Sequence, residues 1–270
     1  MITILGATGF IGSSLHSRLL KEGRDCTGLS RPSFDLNKPS TYTVIPEDTR
    51  ILIHSAGPAG PEYPEKNIWH ECVQATYDLL EFLRKERRVE RLLYISSGAV
   101  YKPSQSILTE KSPLGPSNIY GMSRLLSEKI IETKFADSAL RIRVFFPFGP
   151  KQKTPRLIPG LIDKIRKGEI ISLNNKSGLP KINPIYIDDL TDQIMNFIEG
   201  QIPSVINLGG SERVTIRELA ELIGKLLGKE PQFEVHSKDV LNFYCKSFRK
   251  NSYTIYSRLN AFLNKGNKNA

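Results

Sequence analysis

Nowhere in the 270 residues do the roughly 20 consecutive apolar side chains of a membrane span run together. Nor does the chain open on a basic segment, an apolar core and a small-residue cleavage site; Met1 leads straight into the apolar run Ile2 to Leu5. Both absences point to a cytoplasmic protein without a membrane partner. Cysteine is scarce. The three present, Cys26, Cys72 and Cys245, form no CxxC pair, so neither a disulfide framework nor a metal site is expected. Acidic residues are outnumbered, 28 against 38 basic ones, for a formal net charge of +10. An anionic ligand would suit that excess, but the bases are spread along the chain and a solvated basic surface accounts for them without one. They thicken after Phe233, at Lys238, Lys246, Arg249, Lys250, Arg258, Lys265 and Lys268. That segment lacks the signatures of RNA-binding modules, so no nucleic-acid partner is expected.

What the chain does have is alternation. Short apolar runs at Ile2 to Leu5, Cys26 to Leu29, Ile51 to His54, Arg91 to Ser96 and Leu140 to Phe146 read as buried strands. Between them lie stretches with helical spacing, at Phe10 to Lys21, Asn67 to Arg87 and Ile119 to Phe135. Strands alternating with helices imply a parallel sheet covered on both faces. Beyond Pro150 the pattern changes. Leu157 to Arg166, Asp188 to Ile198 and Thr215 to Leu227 read as helices, Val205 to Leu208 as a strand, and the polar run Asn264 to Ala270 as a frayed end. The expected fold class is α/β, a Rossmann-type doubly wound parallel sheet with a smaller C-terminal substrate-binding lobe. The expected division gives 1–146 with 183–200 to the dinucleotide-binding domain and 147–182 with 201–270 to the lobe.

Gly6-Ala7-Thr8-Gly9-Phe10-Ile11-Gly12 stands between the first strand and the first helix. A tight turn there needs glycine. So does a backbone that approaches a diphosphate, and a helix packed close to its strand. The helix N-terminus adds unpaired N–H groups and the positive end of its dipole. Gly6, Thr8, Gly9, Phe10, Ile11 and Gly12 are therefore candidate cofactor contacts. The second strand ends at Ser30-Arg31, without the carboxylate that binds the ribose of NAD. Arg31 would pair instead with a 2′-phosphate, which tilts the choice between NAD and NADP slightly to NADP. Asp35 and Leu36 are placed to border an adenine, Asp35 accepting from its amino group.

Ordered motifs follow: His54-Ser55-Ala56-Gly57, Tyr94-Ile95-Ser96-Ser97-Gly98-Ala99-Val100-Tyr101, Tyr120-Gly121-Met122-Ser123-Arg124, Arg143 through Phe148-Gly149-Pro150, and Ile185-Tyr186-Ile187-Asp188-Asp189. With the glycine loop, they make the chain resemble the extended short-chain dehydrogenase/reductases, the sugar-nucleotide epimerases, dehydratases and reductases. The resemblance covers roughly residues 1–230. It implies a catalytic set of Ser97, Tyr120 and Arg124. It implies cofactor contacts at Ser55, Ala56, Gly57, Ser96, Tyr120, Arg124 and Pro147. The substrate would be a nucleotide sugar, and a homodimer through the helices around 67–87 and 119–135 would be possible.

In such proteins a tyrosine is the acid/base for carbinol–ketone interconversion, and a lysine one turn later stabilises its phenolate. Arg124 stands at the lysine's place. It keeps the charge but cannot shed a proton. Other departures are Cys72 where asparagine is usual, Phe146 where a substrate-contacting asparagine is usual, and Ile182, beside Lys181, where a basic residue is usual. Gly98 and Ala99 lack the acidic pair of the 4,6-dehydratases, and Ala99 lacks the cysteine of the reductase-epimerases that make fucose donors. A 4-epimerase or a reductase remains, the missing ribose carboxylate leaning to the reductase. The alternative is a catalytically weak or inactive NAD(P)-binding regulatory protein on the same fold. Trp69 is read either as lining the ligand pocket or as core, His54 as packed near the cofactor loop, and Asp188-Asp189 as a charge pair at a helix N-terminus.

Overall fold

A computed structural model describes residues 1–58, 65–152, 155–248 and 253–266. The chain divides into two compact units. The first comprises Met1–Lys102, Ser112–Val144 and Thr191–Asn207, and the second comprises Pro103–Lys111, Phe145–Leu190 and Leu208–Ala270.

The first unit is built on strands β1 (Ile2–Leu5), β2 (Cys26–Leu29), β3 (Ile51–His54), β4 (Arg91–Ser97) and β5 (Ala139–Val144). Helices α1 (Phe10–Lys21), α2 (Glu65–Ile68), α3 (Ala75–Glu86) and α4 (Ile119–Phe135) alternate with them. With β10 (Val205–Leu208), the order across the sheet is β10-β5-β4-β3-β1-β2, and the pairings from β5 to β2 are parallel. This is a Rossmann-type sheet. β1 and β5 are buried along their whole length, which is why they read as unbroken apolar runs rather than alternating ones. The core beneath the sheet gathers Leu5, Leu52, Leu79, Leu80, Leu83 and Tyr94.

The register aligns Leu5 with Leu29 and His54, His54 with Tyr94, and Ser97 with Val144. The carboxyl ends of these strands therefore share one edge of the sheet, where ligands of open α/β sheets bind.

In the second unit, helices α5 (Leu157–Lys167), α7 (Ile216–Leu227) and α8 (Ile255–Gly266) accompany three short strand pairs. These are β6 (Pro147–Phe148) with β9 (Ile185–Tyr186), β7 (Ile171–Leu173) with β12 (Phe233–Val235), and β8 (Lys181–Ile182) with β11 (Val214–Thr215). α6 (Ile187–Met195) follows β9 directly. α7 opens on a capping box, the Thr215 side chain accepting from Glu218 N while the Glu218 carboxylate accepts from Thr215 N.

The structure departs from the sequence reading in four places. The strand expected to reach Phe146 stops at Val144. Phe146 takes a left-handed φ of 44°, and Pro147 has no N–H to continue a ladder. The helix expected over Asn67 to Arg87 is interrupted by a π-helix at Trp69–Gln74. Its wide turn carries Cys72 and Val73 inward and leaves Trp69 53 % exposed, so Trp69 is not core. α8 and the strands β6 to β9, β11 and β12 were not anticipated. α8 continues to Gly266, into the run that reads as frayed. Arg249, Lys250, Lys268 and the rest of that run past Gly266 lie outside the described residues.

Candidate active site

The loop after β1 is shaped by what glycine leaves out. Gly6 adopts a φ of +82°, and a Cβ there would sit 2.8 Å from Ala56 N. At Gly12 an added Cβ would lie 2.2 Å from Gly6 O and 2.6 Å from Ser55 Oγ. The first glycine turns the chain against the loop after β3, and the second lets α1 pack onto that turn. Gly9 is the N-cap of α1 and caps nothing with a side chain; the first turn holds no acidic residue. The first turn thus brings no acidic side chain of its own to the opening amides at Phe10, Ile11 and Gly12, and Thr8 and Gly9 are exposed beside them. A cradle of this kind fits a dinucleotide diphosphate.

Around it stand the other candidates of the first unit. Ser55 Oγ donates to Leu5 O at 2.8 Å, tying the ends of β1 and β3 together. Gly57 has a φ of +115°, and a Cβ there would be 3.7 Å from Leu36 Cδ2, so Gly57 lies against Leu36 while Ala56 lies against Gly6 of the glycine loop. Asp35 Oδ1 accepts from Asn37 N at 3.1 Å, which orders the turn after β2. Ser30 is half-buried and its carbonyl accepts from Phe34 N at 3.1 Å, while Arg31 is exposed. Pro147 belongs to the second unit, in β6, where its carbonyl accepts from Gln152 Nε2 at 2.7 Å. Asp188 and Asp189 do open α6; Asp189 is also paired with Arg258 of α8.

Tyr120 sits in the first turn of α4, buried, above a cap in which Asn118 Oδ1 accepts from Gly121 N at 2.8 Å. Gly121 lets the helix press on the turn after β4, because a Cβ there would lie 2.2 Å from Ala99 O. That turn begins at Ser97, whose Oγ accepts from Ala99 N at 3.1 Å and keeps its own proton to donate. Ser97 and Tyr120 thus come from elements packed on each other. Ser96 faces the other way, and its hydroxyl is committed to Glu128 at 2.5 Å.

One turn past Tyr120, Arg124 is buried and its guanidinium carbon lies 5.3 Å from the Tyr120 ring centroid. Its Nη1 donates to Tyr94 Oη at 3.1 Å and its Nη2 to the carbonyl of Pro58. Burial pushes the Tyr94 phenol well above its usual value, so it stays neutral.

Glu128, which sequence reasoning missed, lies on the same helix. Tyr120, Ser123, Arg124, Ser127 and Glu128 make the buried face of α4 polar. Glu128 accepts from Arg143 Nε at 3.0 and 3.1 Å and from its Nη2 at 2.6 Å. Arg143 Nη1 donates to Tyr101 Oη at 2.7 Å, and that hydroxyl donates to Asn207 Oδ1 at 2.9 Å. Helical spacing of polar types was the only available signal, and on a surface helix it reads as the solvent side.

His54, at the end of β3, is fully enclosed, with Nε2 3.4 Å from Thr76 Oγ1. Burial first, and the Arg124 charge second, push its pKa down to about 3. The fold therefore holds the neutral ring, whereas the unfolded chain takes a proton near pH 6.5. The stabilisation is complete above pH 6.5 and drains away as pH falls toward 3, at about 1.4 kcal/mol per pH unit. Urea unfolding at pH 7 and pH 5 should differ by about 2 kcal/mol from this group alone. In His54→Leu that part of the difference should vanish.

Among the described residues, no cluster of His, Cys, Asp and Glu side chains is arranged to hold a metal ion. None of the helices there is long and apolar enough to cross a membrane.

Residues 2–209 match the model of the NAD dependent epimerase/dehydratase family. Over 90 % of this chain and 84 % of its own length, dTDP-4-dehydro-6-deoxyglucose reductase of Escherichia coli is 24 % identical. UDP-glucuronic acid decarboxylase 5 of Arabidopsis thaliana is 24 % identical over 87 % of this chain and 76 % of its own. Among solved structures, UDP-glucuronic acid 4-epimerase from Bacillus cereus, in complex with UDP-glucuronic acid and NAD, superimposes with a TM-score of 0.87 at 19 % identity, covering 100 % of this chain and 99 % of that one.

Proposed function

The chain belongs to the NAD dependent epimerase/dehydratase family, and from that premise we propose that it is an NAD(P)-dependent oxidoreductase or epimerase acting at a carbinol/ketone carbon of a nucleotide-linked sugar. One observation carries the reading. Tyr120 packs against the Ser97 turn with the Arg124 guanidinium 5.3 Å from its ring, on the sheet edge that also holds the uncapped helix of the glycine loop.

The nicotinamide supplies or accepts the hydride when bound. The rest falls to the protein. The amides at the start of α1 hold the diphosphate. The Ser97 and Tyr120 hydroxyls hold the reacting oxygen. Tyr120 passes a proton to that oxygen in reduction and takes it back in oxidation, and the fixed Arg124 charge stabilises the phenolate left behind. Arg124 itself stays protonated throughout, so any onward relay of the proton runs through another group. The relatives and neighbours named above carry sugar-nucleotide names, which supports a sugar-nucleotide substrate and a place in polysaccharide or sugar-nucleotide synthesis. Calorimetry that gave no heat with NAD, NADP or their reduced forms would end this reading.

NADP is favoured over NAD because β2 ends without a carboxylate and with an exposed Arg31. Arg31→Ala should weaken NADP binding about tenfold, the worth of one charge-assisted hydrogen bond. NAD binding should stay within about twofold. Equal losses for both cofactors in a calorimetric titration would remove Arg31 from the site.

Trp69, Tyr77 and Met122 are exposed, by 53 %, 39 % and 45 %, along α3, α4 and the π-helix. They support a homodimer through these helices, for which light scattering should give twice the 30.4 kDa of the chain. The second reading, a binder without turnover, draws on the two Arg124 Nη groups being committed to Tyr94 and Pro58.

A further inference from the structure

We propose that Tyr94 is a positioning residue for Arg124: its hydroxyl fixes the guanidinium beneath Tyr120, and this fixing is what lets an arginine serve there. The proposal rests on the reading of Tyr120 as the proton carrier.

Tyr94 lies in the middle of β4 with no exposed surface. Side chains two apart on a strand share a face, so Tyr94 and Ser96 point the same way. Each bonds one residue of α4. Ser96 Oγ donates to Glu128 and Tyr94 Oη accepts from Arg124, and those two partners are one helical turn apart. β4 and α4 are therefore joined by two polar rungs, and Tyr94–Arg124 is the rung beside Tyr120.

Arg124 is held from a second direction by the Pro58 carbonyl, in the loop after β3. Two acceptors on different elements set the plane of the guanidinium as well as its position. The guanidinium carbon lies within cation–π range of two rings, 5.9 Å from the Tyr94 centroid and 5.3 Å from that of Tyr120. An ammonium has no plane to fix and needs no such pair. Among the described residues Nε, also buried, meets no partner, so the two Nη bonds are what hold the group. Phenylalanine at 94 would keep the ring and remove the acceptor, leaving Nη1 buried and free to turn.

The test is nitrogen-15 NMR of the arginine guanidinium groups in the cofactor-free protein, a readout independent of turnover. Resonances lost in Arg124→Lys identify Arg124. In the unaltered chain its Nη protons should be resolved, because rotation about the Cζ–N bonds is slow. In Tyr94→Phe they should merge. A guanidinium that turns as slowly in Tyr94→Phe as before overturns the proposal. The second arm is steady-state turnover with UDP-glucose as the probe substrate and NAD as cofactor. Tyr94→Phe should lower kcat about tenfold with KM unchanged, the loss expected for one hydrogen bond to a charged group. In an Arg124→Lys background the same change should cost less than about twofold. Equal losses in both backgrounds, or none in either, would show that Tyr94 only packs. A chain that turns over none of the nucleotide sugars tried would count against the function proposed above, while the guanidinium result would still decide whether Tyr94 holds Arg124.

Discussion

Tyr120→Phe should cut turnover by about a thousandfold while leaving the affinity for the dinucleotide within about twofold. A positioned acid/base contributes roughly 10²- to 10⁴-fold, and the loss appears in kcat because the hydroxyl matters only while the proton moves. The ring stays, so the packing of Tyr120 with Ile68, Cys72 and Val73 is preserved. The cofactor cradle is a separate part of the unit, at Gly6 to Gly12, and is untouched. Stopped turnover with intact calorimetric binding supports the assignment. Turnover that survived the change would make Tyr120 a packing residue and favour the reading of a binder without catalysis.

The second large effect concerns stability. Glu128→Ala should cost about 3–5 kcal/mol, because it strips a buried cation of its partner. Arg143 lies under the sheet edge with both carboxylate oxygens of Glu128 as acceptors. Without them its charge would be stranded, and the Ser96 hydroxyl would lose its acceptor as well. The contrast that makes this informative is the double variant Glu128→Leu with Arg143→Met. Removing both charges at once leaves neither unpaired, and urea unfolding should return most of the loss. A double variant as weak as the single one would mean that the network's shape matters more than its charge.

These two predictions also mark how far the sequence could be read. The glycine loop was legible because its residues are diagnostic twice over, as small and as placed between a strand and a helix. Tyr120 and Arg124 were legible as a pair one turn apart. The partners of Arg124 were not. One is a main-chain carbonyl at Pro58, which no side-chain pattern reveals, and the other is a tyrosine thirty positions back. Glu128 was hidden for a different reason. Polar residues at helical spacing look like a solvated face, and here they face the sheet. Short strands such as Lys181–Ile182 and Val214–Thr215 are too brief for any period to show. The end of β5 was overrun because Phe145 and Phe146 continue its apolar composition while the backbone turns away.

The strand order has a consequence for how the molecule is made. β5 is wholly enclosed, yet one of its flanks is covered only by β10, and all of residues 145–204 intervene. A ribosome extruding this chain must therefore carry an open hydrogen-bonding flank until residues 205–208 emerge. During that interval Arg141 N and Phe145 N await the carbonyls of Ser204 and Leu208. Bare ladder edges of this kind recruit foreign strands. Fragments that stop short of Val205 should accordingly clump during expression, and the late-arriving strand acts as the seal on the sheet.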